Sequence, residues 1–339
     1  MQVHADIDDL PAGARLAVTV GVFDGMHRGH ARLLRSLVRA ARRWHADPAV
    51  VTFEPHPDAV LRGTPPPLLC DPAERLGWLE LTGVRHVVLQ RFDEAFASQT
   101  PEAFLGRLRS GRDLAGLVMS PESAIGRGRA GTPERLRELG AREGFRVEVV
   151  APLEAAGGVV SASRIREALA AGRLREARRM LGRDPAVTGR VVRGDARGRS
   201  LGYPTANLAF DAHVALPADG IYAVEVGWGG PDPLDPAWSA GGVASLGVRP
   251  TFESGARVLE VFLFDVDDDL YDQRLRVAFV CRQRAERRFA SAEALVAQMH
   301  RDAARARAIL AARDLRGRRG ALQRRRTPAG REPSPGRSG

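Results

Sequence analysis

The sequence predicts two units in tandem: an α/β unit built on a parallel sheet, then a small antiparallel β-barrel followed by a C-terminal helix. Three observations predict it. In the first half, short apolar runs alternate with stretches of helical periodicity, the pattern of parallel strands joined by helices. From Asp184-Pro185 onward that alternation stops, and short strands separated by Gly, Pro and Asp turns take over. At the first strand-to-helix junction, three glycines and two histidines are gathered into Gly21–His30.

Taken in order, Ala17, Val18 and Val20 make a strand ending at Gly21, and Leu33, Leu34 and Leu37 recur at helix spacing from about Gly29. A second strand, Ala49–Phe53, is closed by Glu54-Pro-His-Pro57. Helical stretches at Pro72–Leu81 and Pro101–Leu108 alternate with apolar runs at His86–Leu89 and Leu114–Met119, and Pro133–Gly144 precedes a fifth run at Phe145–Val150. Ser161 starts a helix that is expected to continue through Leu169, Leu174 and Met180 to Gly182. The barrel strands are expected at Val187–Arg193, Ile221–Val226, Val243–Leu246, Val258–Asp265 and Leu275–Val280, with Ser291 capping a last helix through Leu295, Met299 and Ile309. The division is therefore 1–182, 183–312 and an Arg-rich tail, 313–339, whose Gly, Pro and Arg content predicts disorder.

The 339 residues suffice for two cores. No apolar run is long enough to span a bilayer, and the acidic start Asp6-Ile-Asp-Asp9 is unlike a secretory leader. Two distant cysteines, Cys70 and Cys281, make neither a disulfide framework nor a zinc spacing, so a cytoplasmic protein is expected. The net charge of +10 is concentrated in the tail, where nine Arg stand against Asp314 and Glu332, leaving the body close to neutral. That argues against a nucleic-acid-binding body, although binding through the tail is a rival non-enzyme reading. All 51 basic residues are Arg. A P-loop lysine and a Schiff-base lysine are thus excluded, and any ATP phosphates must be held by backbone amides, His, Arg and a metal.

Gly21, Gly25 and Gly29 let backbone approach a ligand, and a helix N-terminus there offers free N–H groups to phosphate. His27 and His30 sit at the same helix start. A His pair can also bind metal or simply pack, but no third ligand is near apart from Asp24. Gly126-Arg-Gly-Arg-Ala-Gly131 is a literal G-x-G-x-x-G with Glu148 downstream, yet Ser120–Ile125 separate it from its strand, which argues against dinucleotide binding. In the second half, glycines at 194, 198 and 202 make a mobile loop, and Pro204 is expected to keep the next residues out of a regular central strand. Thr205 and Asn207 put a hydroxyl and an amide oxygen on one face of an extended segment, a pair suited to magnesium, although composition alone favours a plain glycine-rich hairpin. Glu260 alternates with Leu259 and Val261 and on pattern alone is an outward-facing strand residue. Asp265-x-Asp267-x-Asp269 lacks the glycine and glutamate of a calcium loop and reads as an acidic turn.

Gly21-x-Phe23-Asp24-Gly25-x-His27-x-Gly29-His30 resembles the signature of nucleotidyltransferases that move an AMP or CMP unit onto a phosphate. Together with Thr52-Phe-Glu-Pro-His-Pro57 it is similar to the bifunctional riboflavin kinase/FAD synthetases, a resemblance covering about residues 15–310. It implies a Rossmann-like nucleotidyltransferase domain followed by a riboflavin kinase barrel, with riboflavin, FMN and ATP as partners, Mg2+ as cofactor and no membrane partner. A homo-oligomer is left open. It implies that His27 and His30 are catalytic, that Gly21, Phe23, Asp24, Gly25 and Gly29 bind ATP, and that Ser161 and Arg164 of Ser161-Ala-Ser-Arg164 clamp phosphates from the other side. In the barrel it matches Gly202-Tyr-Pro-Thr-Ala-Asn-Leu208 to a magnesium–ATP motif, so that Gly198, Thr205 and Asn207 bind ATP, Thr205 and Asn207 bind metal, and Glu260 is the base. Gly247-Val-Arg-Pro-Thr-Phe252 resembles a further segment of the family. One stretch departs: Ser120-Pro-Glu-Ser-Ala-Ile-Gly126 has Glu122 where Asp or Asn is expected, and Ser123 and Ile125 where two aromatics line the adenylylation pocket. A kinase with a degenerate first domain is the alternative this departure raises.

Overall fold

The six strands of the first half pair in parallel. The computed structural model describes residues 1–194, 202–248 and 257–326, with side chains to 314. Strands β1 (Gln2–His4), β2 (Arg15–Val20), β3 (Asp47–Glu54), β4 (His86–Arg91), β5 (Asp113–Met119) and β6 (Arg146–Val149) lie in the order β1-β4-β3-β2-β5-β6. Alternation along β2 sends Ala17 to one face, where Leu34, Leu37 and Ala40 of helix α1 (Arg28–Trp44) cover it. It sends Leu16 and Val18 to the other, against Phe104, Leu105, Leu108 and Leu136. Chain order runs from β2 to β3 on one side and to β5 on the other, so β2/β5 is the switch point where an open α/β sheet leaves a crevice beyond its strand ends. Gly21 stands at its lip.

Six antiparallel strands close the barrel in the order β10-β11-β8-β7-β12-β9: β7 (Ala186–Val192), β8 (Ala206–Ala209), β9 (Gly220–Trp228), β10 (Trp238–Val248), β11 (Arg257–Leu263) and β12 (Arg274–Arg284). Tyr222, Val224, Leu246, Leu259, Val261, Val277 and Phe279 fill it. Ser291 caps the last helix as expected, its Oγ accepting from the Ala294 N–H at 3.2 Å. Ala306, Ile309 and Leu310 seat that helix on Ala223, Phe262 and Phe264. Among the described residues no helix is long and apolar enough to cross a membrane.

Four expectations need correction. Ala206–Ala209 is a strand, paired with both β7 and β11, because Pro204 lies ahead of it rather than within it. The helix expected over 161–182 is two, α7 (Ala162–Ala170) and α8 (Leu174–Leu181), broken where Gly172 takes φ 70°. Ile165, Leu169, Leu174 and Met180 of this pair share the barrel's core rather than the sheet's. The C-terminal helix spans Ala292–Arg326 and so runs past Arg313, where a disordered tail was expected to begin. Arg, Leu, Ala and Gln are good helix formers, and Arg313 is anchored by the buried carboxylate of Asp184.

Candidate active sites

The turn after β2 is wound in the left-handed region at Phe23 (φ 54°), Gly25 (φ 70°) and Met26 (φ 36°). Gly25 is required: a Cβ there would stand 2.7 Å from that of Leu69. Asp24, almost fully buried, is held by the Leu69 N–H at 2.9 Å and by an ion pair with Arg166. His27 caps α1, its Nδ1 accepting from the His30 N–H at 3.2 Å, and the two imidazoles stack with centroids 3.6 Å apart. Phe23 meets His30 edge-on at 5.1 Å. A Cβ on Gly29 would fall 3.0 Å from the His27 ring, so glycine is what lets that ring fold over the helix start. Burial first, then the cations Arg183 and Arg166, push His27 down to about 4. Burial and the neighbouring His27 hold His30 well below the usual imidazole range. Both are therefore neutral N–H donors at pH 7 rather than cations. His30 Nδ1 is buried without a hydrogen-bond partner among the described residues.

The structure separates the two arginines after Ser161. Ser161 caps α7, accepting from the Arg164 N–H at 3.4 Å. The Arg164 guanidinium is spent on the carbonyls of Ala155, Ala156 and Val159, at 2.7 to 3.3 Å, so it braces its own loop. Arg166 instead reaches Asp24 and the Pro67 carbonyl. Of the pair, Arg166 faces the Gly21–His30 turn; two residues further on, it lies roughly half a helical turn round from Arg164.

Beyond the strand ends a cleft of about 730 Å³ opens at Gly21 and Val22. Phe53, Phe92, Phe96 and Phe104 line it, with neighbouring ring centroids 5.3 to 6.0 Å apart. Ser123, Glu122 and Arg129 line it as well. Ser123 bonds Ser120 at 2.7 Å, and Ile125 is buried in the core, bridged to Gly131. The cleft is thus aromatic although residues 123 and 125 are not. No short motif marked Phe92 and Phe96, because their proximity to Phe53 arises only from strand order. Gly126, Gly128 and Arg129 sit on the rim of this cleft, away from the first strand-to-helix turn, and Glu148 is ion-paired with Arg43.

In the barrel, Glu260 of β11 stands directly opposite Asn207 of β8 in register, on the face away from buried Leu259 and Val261. Directly opposed residues on one sheet face are side-chain neighbours. Thr205 lines a second cleft, of about 450 Å³, with Val191, Pro204 and Asp267–Tyr271. A Cβ on Gly194 would come within 2.3 Å of the Asn207 amide, so the glycine is a cradle for that side chain. Gly198 and residues 249–252 of the Gly247–Phe252 segment lie outside the described residues. Asp269 accepts from the Tyr271 N–H at 3.0 Å, and Asp265 pairs with Arg307, as an acidic turn does.

A glycine-rich strand-to-helix turn at a sheet switch point, joined to a closed barrel with a carboxylate opposite an amide, is the two-unit layout expected of an ATP-using group-transfer enzyme. Residues 11–164 match the family model described as FAD synthetase, and residues 181–310 match that described as riboflavin kinase. The bifunctional riboflavin kinase/FMN adenylyltransferase of Escherichia coli strain K12 is 37% identical over 84% of this chain and 90% of its own length. That of Pseudomonas fluorescens is 36% identical over 92% and 98%. A crystal structure named as a macrolide-efflux protein from Streptococcus pneumoniae superposes with a TM-score of 0.77 at 31% identity, covering 89% of this chain and 96% of that one. The chain belongs to the bifunctional riboflavin kinase/FMN adenylyltransferase family.

Proposed function

We infer that the chain carries out both reactions its family's name joins: ATP-dependent phosphorylation of riboflavin to FMN, then adenylylation of FMN by a second ATP to give FAD and pyrophosphate. The observation that carries the second step is the phenylalanine-lined cleft beside the Gly21–His30 turn. It supplies an apolar, aromatic wall for a flavin ring in spite of Ser123 and Ile125.

In the barrel, the carboxylate of Glu260 takes the proton of the ribityl hydroxyl as that oxygen attacks the γ-phosphorus. Thr205 and Asn207 offer hard oxygen donors, with the space that Gly194 leaves for the amide, and so fit Mg2+. When bound, that ion neutralises charge on the phosphate oxygens. In the sheet unit, an oxygen of the FMN phosphate attacks the α-phosphorus of ATP, and the bond to the β-phosphate breaks. No covalent intermediate on the enzyme is needed. The α1 N-terminus, His27 and His30 hold the phosphates as neutral donors, with Ser161 on the far side and Arg166 fixing Asp24 within the turn.

Purified chain given riboflavin, ATP and Mg2+, with flavins separated over time, tests the reading. FMN followed by FAD is expected. FMN without FAD would leave a kinase beside an inactive first unit, and neither product would overturn the whole assignment.

A further inference from the structure

Arg183 belongs to neither site by sequence pattern. It follows Gly182 in the short junction between α8 and β7, and its side chain turns back toward the sheet unit. Its guanidinium donates to the Gly25 carbonyl at 2.8 Å and to the Met26 carbonyl at 3.2 Å. The same group lies 4.4 Å over the ring of Trp78. Two carbonyls of one tight turn, taken by one planar fork and backed by an indole face, are a use of arginine that lysine reproduces poorly. The turn needs such a brace. Met26 has a side chain yet sits at φ 36°, a conformation that persists only when its surroundings impose it. Across a trans peptide the C=O and N–H point in opposite directions. Holding the Met26 carbonyl therefore fixes where the N–H of His27 points, at the residue that caps α1.

We propose that Arg183 is a positioning residue for adenylyl transfer: from the junction between the units it sets the Gly25–His27 backbone that faces the ATP phosphates. The proposal rests on assigning that turn to ATP. It also makes the geometry of the first site depend on a residue at the start of the second unit. Arg28 adds to the same seam by donating to the Arg179 carbonyl at 3.1 Å.

The test uses the full chain with Arg183→Gln, Arg183→Lys and, as a control on the turn, His30→Asn. FAD synthesis from FMN is measured with ATP varied, alongside riboflavin phosphorylation and thermal unfolding of the same preparations. For Arg183→Gln, kcat/KM for ATP in FAD synthesis is expected to fall about 30-fold, because small misplacements of phosphate-holding groups are costly. The kinase step should stay within about twofold, and Arg183→Lys should recover part of the loss by reaching one carbonyl. Unchanged FAD synthesis in Arg183→Gln with a loss in His30→Asn would overturn the role of Arg183 and leave the turn's assignment standing. No loss in either variant would overturn both. Equal loss of both activities in Arg183→Gln and Arg183→Lys, with a lowered unfolding temperature, would reduce Arg183 to a structural tie and overturn the proposal.

Discussion

The charge state of His27 is set by what surrounds it. His27 is held at about 4 by burial and by two arginines, whereas in the unfolded chain it titrates near the ordinary 6.5. Its contribution to stability is therefore fully present above 6.5 and is lost as pH falls toward 4, where the unfolded chain has bound a proton the folded one has not. The slope is about 1.4 kcal/mol per pH unit for one such group. Urea unfolding of His27→Asn between pH 6.5 and 4.5 should show a shallower acid slope by about one proton; superposable slopes would contradict the burial argument. Glu260 offers a second test. Glu260→Gln keeps shape and removes the base, so riboflavin phosphorylation should fall by about 100-fold or more while FAD formation from supplied FMN continues at its normal rate. An equal loss in both steps would mean that Glu260 holds the fold rather than the proton.

At the level of elements, strand-turn-helix order and the onset of the barrel are written locally, in apolar period and turn residues, and so are legible in sequence. The tie between the Gly202–Leu208 segment and the C-terminal helix is not. Tyr203 donates to or accepts from His300 Nδ1 at 2.6 Å and packs edge-on to Phe262 at 4.8 Å, joining residues far apart in the chain. Its neighbours Pro204 and Thr205 form the wall of the second cleft. Tyr203→Phe removes only the hydroxyl, at a cost of about 1 kcal/mol. Its effect should be a KM for ATP raised severalfold in the kinase step with kcat little changed. A lowered kcat at unchanged KM would place Tyr203 outside ATP binding. Arg164 and Arg166 illustrate the same limit from the other side: a motif names both, and only the packing of α7 decides which guanidinium braces a loop and which reaches Asp24. The strand after Pro204 was hidden for a related reason, since a proline next to a strand and one inside it look alike until the register is known.

Across the whole molecule, the two units are joined by polar groups taken out of water. Glu74, on the helix Pro72–Glu80 of the sheet unit, is 1% exposed, accepts from the Thr188 hydroxyl of β7 at 2.6 Å and lies 3.2 Å from the Arg276 guanidinium of β12. Asp71 and Arg274 form a second ion pair across the same seam. Backbone pairing continues it, with the Leu68 N–H donating to the His213 carbonyl at 2.8 Å and the Ala215 N–H to Leu68 at 2.8 Å. A buried carboxylate with a cation and a hydroxyl is costly to break from one side, because its partners stay behind without it. Truncation of one member of such a pair typically costs about 3–5 kcal/mol. Glu74→Ala should therefore weaken the seam more than either core, and calorimetric unfolding of the full chain should separate into two transitions, the sheet unit and the barrel melting independently. Arg183 crosses the same seam, so FAD synthesis should also become more temperature-sensitive than riboflavin phosphorylation in this variant. One transition at the parent temperature would mean that the apolar contacts and backbone pairing hold the units together unaided, and that the buried ion pair sets their alignment without supporting their association.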